Sequence, residues 1–369
     1  MKALPFGGAF FLSDFWSMRK ATLVVLFASL MFACSSDHTP NSQPAAADTQ
    51  APVEVSKTPF QLRLDSLNGA IADAPNDLSA LEERAALYIK QKNLKYATAD
   101  LSAVLQMDSS RTKALELWGD LGFLTNQTRQ SRDAWLKCMK EDPQNVPCRL
   151  KMAELYHVVT EFEKSAELVD KVLELAPENA EAHFLKGMLM RDALGDTTRA
   201  LEWFQKSIDL DPEYAEALDM CGVLYSAMGN PLAVGYFNRL IELDPDNKVS
   251  YYNRGMYFLV AQQWNGALED FSKCVLLDPR DIESFFNLGY IHLQLQMPSE
   301  ARGYFNQALQ IQPINHRALY GRGYCFELLG DLPNAEKDYR QALSYNPDHA
   351  GSRAGVQRIM NARRASSPQ

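Results

Sequence analysis

The sequence predicts an all-α fold made of consecutive helical hairpins, and two observations carry that prediction. One pattern recurs eight times between Asp77 and Pro347 with a period of about 34 residues. Inside each period, two Pro-free runs keep apolar side chains at helical spacing on either side of a short turn. Pro143, Pro177, Pro212, Pro245, Pro279, Pro313 and Pro347 mark the register at near-equal intervals, none more than one residue off that period. A fixed period of this size is the mark of a repeat architecture. It directs the search for function toward binding rather than catalysis.

Residues 1–33 read as a secretory signal: Arg19 and Lys20 precede thirteen mostly apolar residues, Ala21 to Ala33, and Cys34 follows. The apolar run is too short to span a bilayer stably. Met18 would make a more usual start than Met1. Leu30-Met-Phe-Ala-Cys34 resembles the bacterial lipoprotein box. That resemblance implies a lipid on Cys34, which then begins the mature chain. Residues 34–58 are rich in Ser, Pro, Ala and Thr and hold no aromatic. Such a stretch cannot bury enough apolar area to offset its ordering entropy, so it reads as a flexible tether.

Residues 59–77 look like half a repeat. Leu67, Ala70 and Ile71 share a stripe over Phe60–Ala74, and Pro75 closes the run. Eight full units follow over residues 78–347. In the type unit, Lys248–Ala261 is a Pro-free run with Tyr251 and Phe258 at helical spacing, and Gln262-Gln263 turns the chain. Trp264–Leu277 then places Ala267, Leu268, Phe271, Cys274 and Val275 on one stripe, the 3.6-residue period of an amphipathic helix. Asp278-Pro279 stops it, because Pro lacks an N–H and moves the preceding residue out of the helical region.

Small residues say how the two helices touch. The eighth place of the unit holds Gly119, Gly187, Gly222, Gly255, Gly289 and Gly323, with Ala85 and Ala153 in the other two units. Gly in a helix costs about 1 kcal/mol against Ala, so six of them demand a close helix crossing. A recurring alanine in the second helix (Ala267, Ala301 and Ala335 in the later units) lies four places before a bulky residue such as Phe271, Phe305 or Tyr339. After the last Pro, residues 348–369 give a capping helix over His349–Arg364. Val356, Ile359 and Met360 are apolar there, and Arg353, Arg358, Arg363 and Arg364 are basic. Terminal elements of stacked arrays need such a polar outer face.

These register residues, Gly255, Phe258, Ala267, Phe271 and Pro279 in the type unit, resemble the tetratricopeptide repeat (TPR) family over Leu78 to about Asn346. The resemblance implies a right-handed α-solenoid of about eight hairpins with an N-terminal half unit and a C-terminal capping helix. Ser109 stands where Pro is usual, one residue is added near Arg191–Leu194, and one is missing near Asn230–Leu232. The last two changes fall at or beside the inter-helix turn, where altered length costs little.

The formal charge is −9; residues 1–33 carry a net +2, so the remainder stands at −11. That balance disfavours nucleic acid, which needs a basic footprint. Cys138, Cys148, Cys221, Cys274 and Cys325 read as small buried thiols. Cys138 and Cys148 lie on adjacent predicted helices, and the sequence leaves open whether they form a disulfide. No CxxC spacing suggests zinc, His183 and His292 fall at inward places, and no HExxH, GxGxxG, GxxxxGK[ST] or GxSxG occurs. The repeats use all of the folded length, so we expect neither enzyme activity nor a cofactor or metal.

The TPR resemblance further implies a concave surface lined by the first helix of each unit, with partner contacts at its second, fifth, ninth, twelfth and thirteenth places. The fifth and ninth places of the last three units hold Tyr252, Met256, Phe286, Tyr290, Tyr320 and Tyr324, a candidate aromatic groove. Those of the first three units hold Glu82, Glu116, Asp120 and Glu154, a candidate acidic groove or a solvated face. Asn253 and Asn287 occupy a place used to clamp a peptide carboxylate in some members, but the paired basic residues are missing apart from Arg317. The expected function is a non-catalytic scaffold or adaptor. It is held at a bacterial envelope membrane, the outer membrane by preference, through a lipid on Cys34, and it binds a protein or peptide. The alternative expectation is an accessory regulator of a cell-wall enzyme.

Overall fold

The computed structural model describes residues 57–366. The expected signal, Cys34 and nearly all of the tether lie outside the described residues. Within them every regular element is an α-helix. The helices fall into two compact units, residues 57–243 and 244–366.

The first unit opens with the half-repeat helix α1 (Pro59–Asp73). Five hairpins follow: α2 (Leu78–Lys90) with α3 (Leu94–Met107), α4 (Thr112–Leu124) with α5 (Thr128–Glu141), and α6 (Val146–Val158) with α7 (Phe162–Leu175). The last two are α8 (Ala180–Asp192) with α9 (Thr197–Leu210), and α10 (Ala215–Ala227) with α11 (Leu232–Leu243). The second unit holds α12 (Lys248–Val260) with α13 (Trp264–Leu277) and α14 (Ile282–Gln294) with α15 (Pro298–Ile311). It ends with α16 (His316–Leu328), α17 (Leu332–Tyr345) and the closing helix α18 (Ala350–Ser366). The predicted succession of helical hairpins is what the fold contains.

Capping sets the starts. Thr58 and Gln61 form a capping box on α1, each side chain accepting the other's backbone N–H. Asn or Asp caps most first helices; the Asn179 amide oxygen, for example, accepts the N–H of Ala182 at 2.8 Å. The turns inside the hairpins share a feature that the side chains hide. One residue per hairpin sits in the left-handed region: Lys92, Asn126, Thr160, Gly195, Gly229, Gln262, Gln296 and Gly330, with φ from 57° to 83°. The next N–H then reaches back to satisfy an end carbonyl, as Glu161 does to Tyr156 at 2.8 Å. The added residue of the fourth hairpin is absorbed here: Asp196 reaches one residue further back, to Met190, at 2.9 Å.

The eighth-place glycines lie under the bulky residue of the facing helix. A Cβ on Gly187 would stand 2.6 Å from the Phe204 ring, and one on Gly222 would stand 2.7 Å from Phe237. Gly119 leaves no room for one beside Trp135. Gly289 and Gly323 meet Phe305 and Tyr339 in the same way, while a Cβ on Gly255 would stand 3.1 Å from the Asp270 Cβ and 3.2 Å from the Phe271 ring. Ala267, Ala301 and Ala335 are fully buried beside these rings. Where the eighth place is Ala85 or Ala153, the facing residue is Leu101 or Val169, smaller than any of the rings.

Cys138 of α5 and Cys148 of α6 are joined by a disulfide, so a bond that the sequence left open ties two successive hairpins. Cys221, Cys274 and Cys325 are free and buried. Helix α18 closes the second unit with Ile359 in the core; the Arg358 guanidinium donates to both carboxylate oxygens of Glu327 at 2.7 and 2.8 Å.

Candidate partner-binding faces

In the first unit the acidic places are not a uniform row. Glu82 is buried and receives two hydrogen bonds from the Arg111 guanidinium, at 3.0 and 2.7 Å. It is neutralised by that pair. Glu116, on α4, accepts from Lys113 at 2.9 Å. Asp120, one turn on, is half-buried. Burial pushes its carboxyl up to about 6; Glu116 adds to the rise and Lys151 opposes it.

Lys151, on α6, is the centre of this face. Its ammonium lies 3.6 Å from Glu154 and 4.0 Å from Glu181 of α8. Burial works against its charge, yet Glu154, Glu181 and Asp120 hold its pKa above the ordinary lysine value. The Glu181 carboxyl is raised by burial and by the nearby Glu154 and Glu216. The structure sets Glu116 beside Asp120, and Asp120 and Glu154 beside Lys151. It adds Lys151, Glu181 and Glu216, and removes Glu82. Glu181 and Glu216 occupy the second place of their helices, one of the contact places the resemblance implied, so their signal was present in the register.

In the second unit the six aromatic-groove candidates divide. Phe286, Tyr320 and Tyr324 are buried. Phe286 sits edge-on to Phe305 with ring centroids 5.5 Å apart, and the Arg317 guanidinium lies 4.4 Å over its other side. Tyr320 is packed among Tyr324, Tyr339 and His349, with centroids 6.4, 5.7 and 4.9 Å away. These three rings are held in the core as the protein stands.

Tyr252, Met256 and Tyr290 are half-buried and make the open part of the face. Beneath them Asn287 is buried, and its amide points at the Met256 sulfur at 3.6 Å. Burial raises the Tyr252 hydroxyl's pKa, partly offset by its hydrogen bond with Asn287. The arrangement offers aromatic and thioether surface with a fixed amide below it, suited to holding a peptide by packing and a few hydrogen bonds. Among the described residues, no group of three His, Cys, Asp or Glu is placed to hold a metal. No described helix is long and apolar enough to cross a membrane.

Three family models, all described as tetratricopeptide repeat, match residues 150–215, 282–315 and 316–349. The chain is similar to the human mitochondrial import receptor subunit TOM70: 25% identical over 190 residues, 49% of this chain and 31% of that protein. It is also 29% identical over 96 residues to the photosystem I assembly protein Ycf3 of Cyanophora paradoxa, covering 22% of this chain and 56% of that one. The chain spans about a third of the length of the import receptor it matches. Among solved structures, the C-terminal part of a TPR repeat-containing protein from Cytophaga hutchinsonii aligns with a TM-score of 0.56 at 14% identity. That alignment covers 65% of this chain and 99% of the other. The family-model matches identify tetratricopeptide repeats over those residues, and the repeat period, the hairpin packing and this shared fold show the same helical-hairpin architecture in the described residues.

Proposed function

We propose that this protein is a non-catalytic scaffold held at a bacterial envelope membrane, where it binds a protein or extended peptide partner through its first-helix faces. The observation that carries the reading is the open face of Tyr252, Met256 and Tyr290 over the buried Asn287, which no packing within the unit fully covers. The acidic face around Lys151 is a second contact region of different chemistry. Relatives named as an import receptor subunit and an assembly protein support an interaction role. Envelope placement is supported by the apolar run that ends at Cys34 and by the Cys138–Cys148 disulfide, a bond that persists in oxidising compartments.

Affinity capture from envelopes with mass spectrometry tests the binding face. Met256→Ala with Tyr290→Ala should remove specific partners and leave the helical circular-dichroism spectrum unchanged. An unaltered partner set refutes the assignment. Fatty-acid labelling of the wild type and of Cys34→Ala tests the anchor; equal labelling of the two rules it out.

A further inference from the structure

The places that cap the first helices run Asp77, Arg111, Asn145, Asn179, Tyr214, Asn247, Asp281, Asn315 and then His349, each one repeat period, give or take a residue, after the last. The closing helix α18 is therefore set like the first helix of a further repeat, with a histidine where six of the eight others use Asn or Asp. Its packing agrees. Gly355 lies one full period after Gly321; Gly321 packs on the Phe305 ring, and Gly355 leaves no room for a Cβ beside Tyr339.

His349 does the work of the missing Asn. The Asn315 amide oxygen accepts the N–H of Ala318 at 3.0 Å, and His349 Nδ1 accepts the equivalent N–H of Ser352 at 3.2 Å, with the Ser352 hydroxyl at 2.9 Å. An amide oxygen accepts at any pH, whereas an imidazole nitrogen accepts only while it is unprotonated. The groups around the ring oppose a charge there. His316 stands 5.4 Å away between ring centroids and Tyr320 stands 4.9 Å away, while Arg317 contributes a cation from the same helix, α16. Asn346, in the preceding loop, is taken by His316 at 3.1 Å. The carboxylate next to His349 in sequence, Asp348, is fully exposed and 3.5 Å from Arg353, and Glu283 lies 3.3 Å from Arg317.

We propose that α18 is a proton-released cover: in mild acid His349 is protonated, loses its capping bond and is repelled by Arg317 and His316, and the helix uncovers Tyr320 and Tyr324. What is uncovered deepens the reading of the first-helix face as a binding surface and rests on it; the release itself does not.

Burial, with His316 and Arg317 close by, holds the docked imidazole's pKa down at about 4. A released histidine titrates at about 6.5. The released state thus binds the proton more tightly, so docking weakens as pH falls below about 6.5 and the loss is complete below about 4. At pH 5 release gains about 30-fold over its value at pH 7.5. The Arg358–Glu327 clasp stays charged at that pH. Against burial, its hydrogen bonds to Arg358 and Tyr339 hold the Glu327 carboxyl below its usual range.

Amide hydrogen exchange on the full chain without partner, corrected for the chemical rate at each pH, reads the release. Protection over residues 350–365 should fall about 30-fold between pH 7.5 and 5 in the wild type. In His349→Asn, which restores the cap used elsewhere, it should change by less than about 3-fold, with residues 264–277 steady in both. An equal fall in the two proteins, or none in the wild type, overturns the proposal. Histidine NMR titration of the wild type needs no variant: a His349 midpoint at or above 6.5 overturns it as well. No partner enters either measurement, so failure here leaves the binding face untouched.

Discussion

Arg254 of α12 lays its guanidinium across the buried carboxylate of Asp270 on α13, with Nε and Nη2 at 2.9 and 2.6 Å from the two oxygens. The same bidentate pair recurs at the same two places between Arg84 and Asp100, and between Arg322 and Asp338. In the hairpin between the last two, these places hold Leu288 and Tyr304, both in an apolar cluster. The fold accepts a matched ion pair or an apolar pair at this crossing, and where these places hold Lys186 and Trp203 the ammonium is matched instead by Asp170 of α7. A mixed pair with no such outside partner would strand a charge.

Arg254→Leu should therefore destabilise the second unit by about 3 kcal/mol, because Asp270 is left buried and uncompensated. Adding Asp270→Tyr reproduces the neighbouring hairpin's pair and should restore most of the loss. Urea denaturation of the two single variants and the double checks this; additive losses in the double would contradict it.

Gly187 and Phe204 make a second matched pair. Gly187→Ala should cost about 1–3 kcal/mol through overpacking against the ring. Gly187→Ala with Phe204→Leu copies the Ala85 and Leu101 combination already present in the chain and should lose less than Gly187→Ala alone. Chemical denaturation midpoints decide it.

These pairs show which parts of the fold were legible. Gly255, Ala267 and Phe271 recur in type because steric fit at a crossing admits few side chains, so the register could be read directly. The left-handed turn residue could not, since Lys92, Asn126, Thr160 and Gln262 share only a backbone conformation. Arg84 and Asp100 stand on different helices and meet only once the hairpin closes, so their pairing was hidden although both recur in sequence. The binding faces were half legible. Helix register told which places point inward, but whether Tyr320 is open depends on α18, an element outside the repeat that carries it.

Reducing the Cys138–Cys148 disulfide frees a loop of sequence separation 10. Loop-closure entropy assigns such a bond about 3 kcal/mol. Cys138→Ala with Cys148→Ala should lower the stability of the first unit by about that amount and make its denaturation insensitive to reductant. The wild type should shift when reductant is added to the unfolded, but not the folded, protein, because both sulfurs are buried.

Thr160 holds φ at 61°, a conformation that a β-branched side chain disfavours. Gly195 and Gly229 occupy the same place in the next two hairpins without that strain. Thr160→Gly should raise the first unit's stability by about 1 kcal/mol, and Gly195→Val should lower it by at least as much. Thermal melts of the two variants should move in opposite directions.

Asp120 makes the opposite bargain, keeping a charge where neutrality would be more stable. Its carboxyl is raised to about 6, mainly by burial. The folded state therefore holds the proton more tightly than the unfolded chain, where aspartate titrates near 3.9. Stability from this group is full below about 4 and is lost as pH rises through about 6. Asp120→Asn removes the ionised form and should stabilise the first unit on the order of 1–2 kcal/mol at pH 7.5, with the advantage vanishing near pH 4. Denaturation at the two pH values measures it. A stabilised variant that also loses partners in the capture experiment would mean that the carboxylate is retained for its charge beside Lys151 and Glu116, at the expense of the fold. A stabilised variant with unchanged partners would remove Asp120 from the binding face.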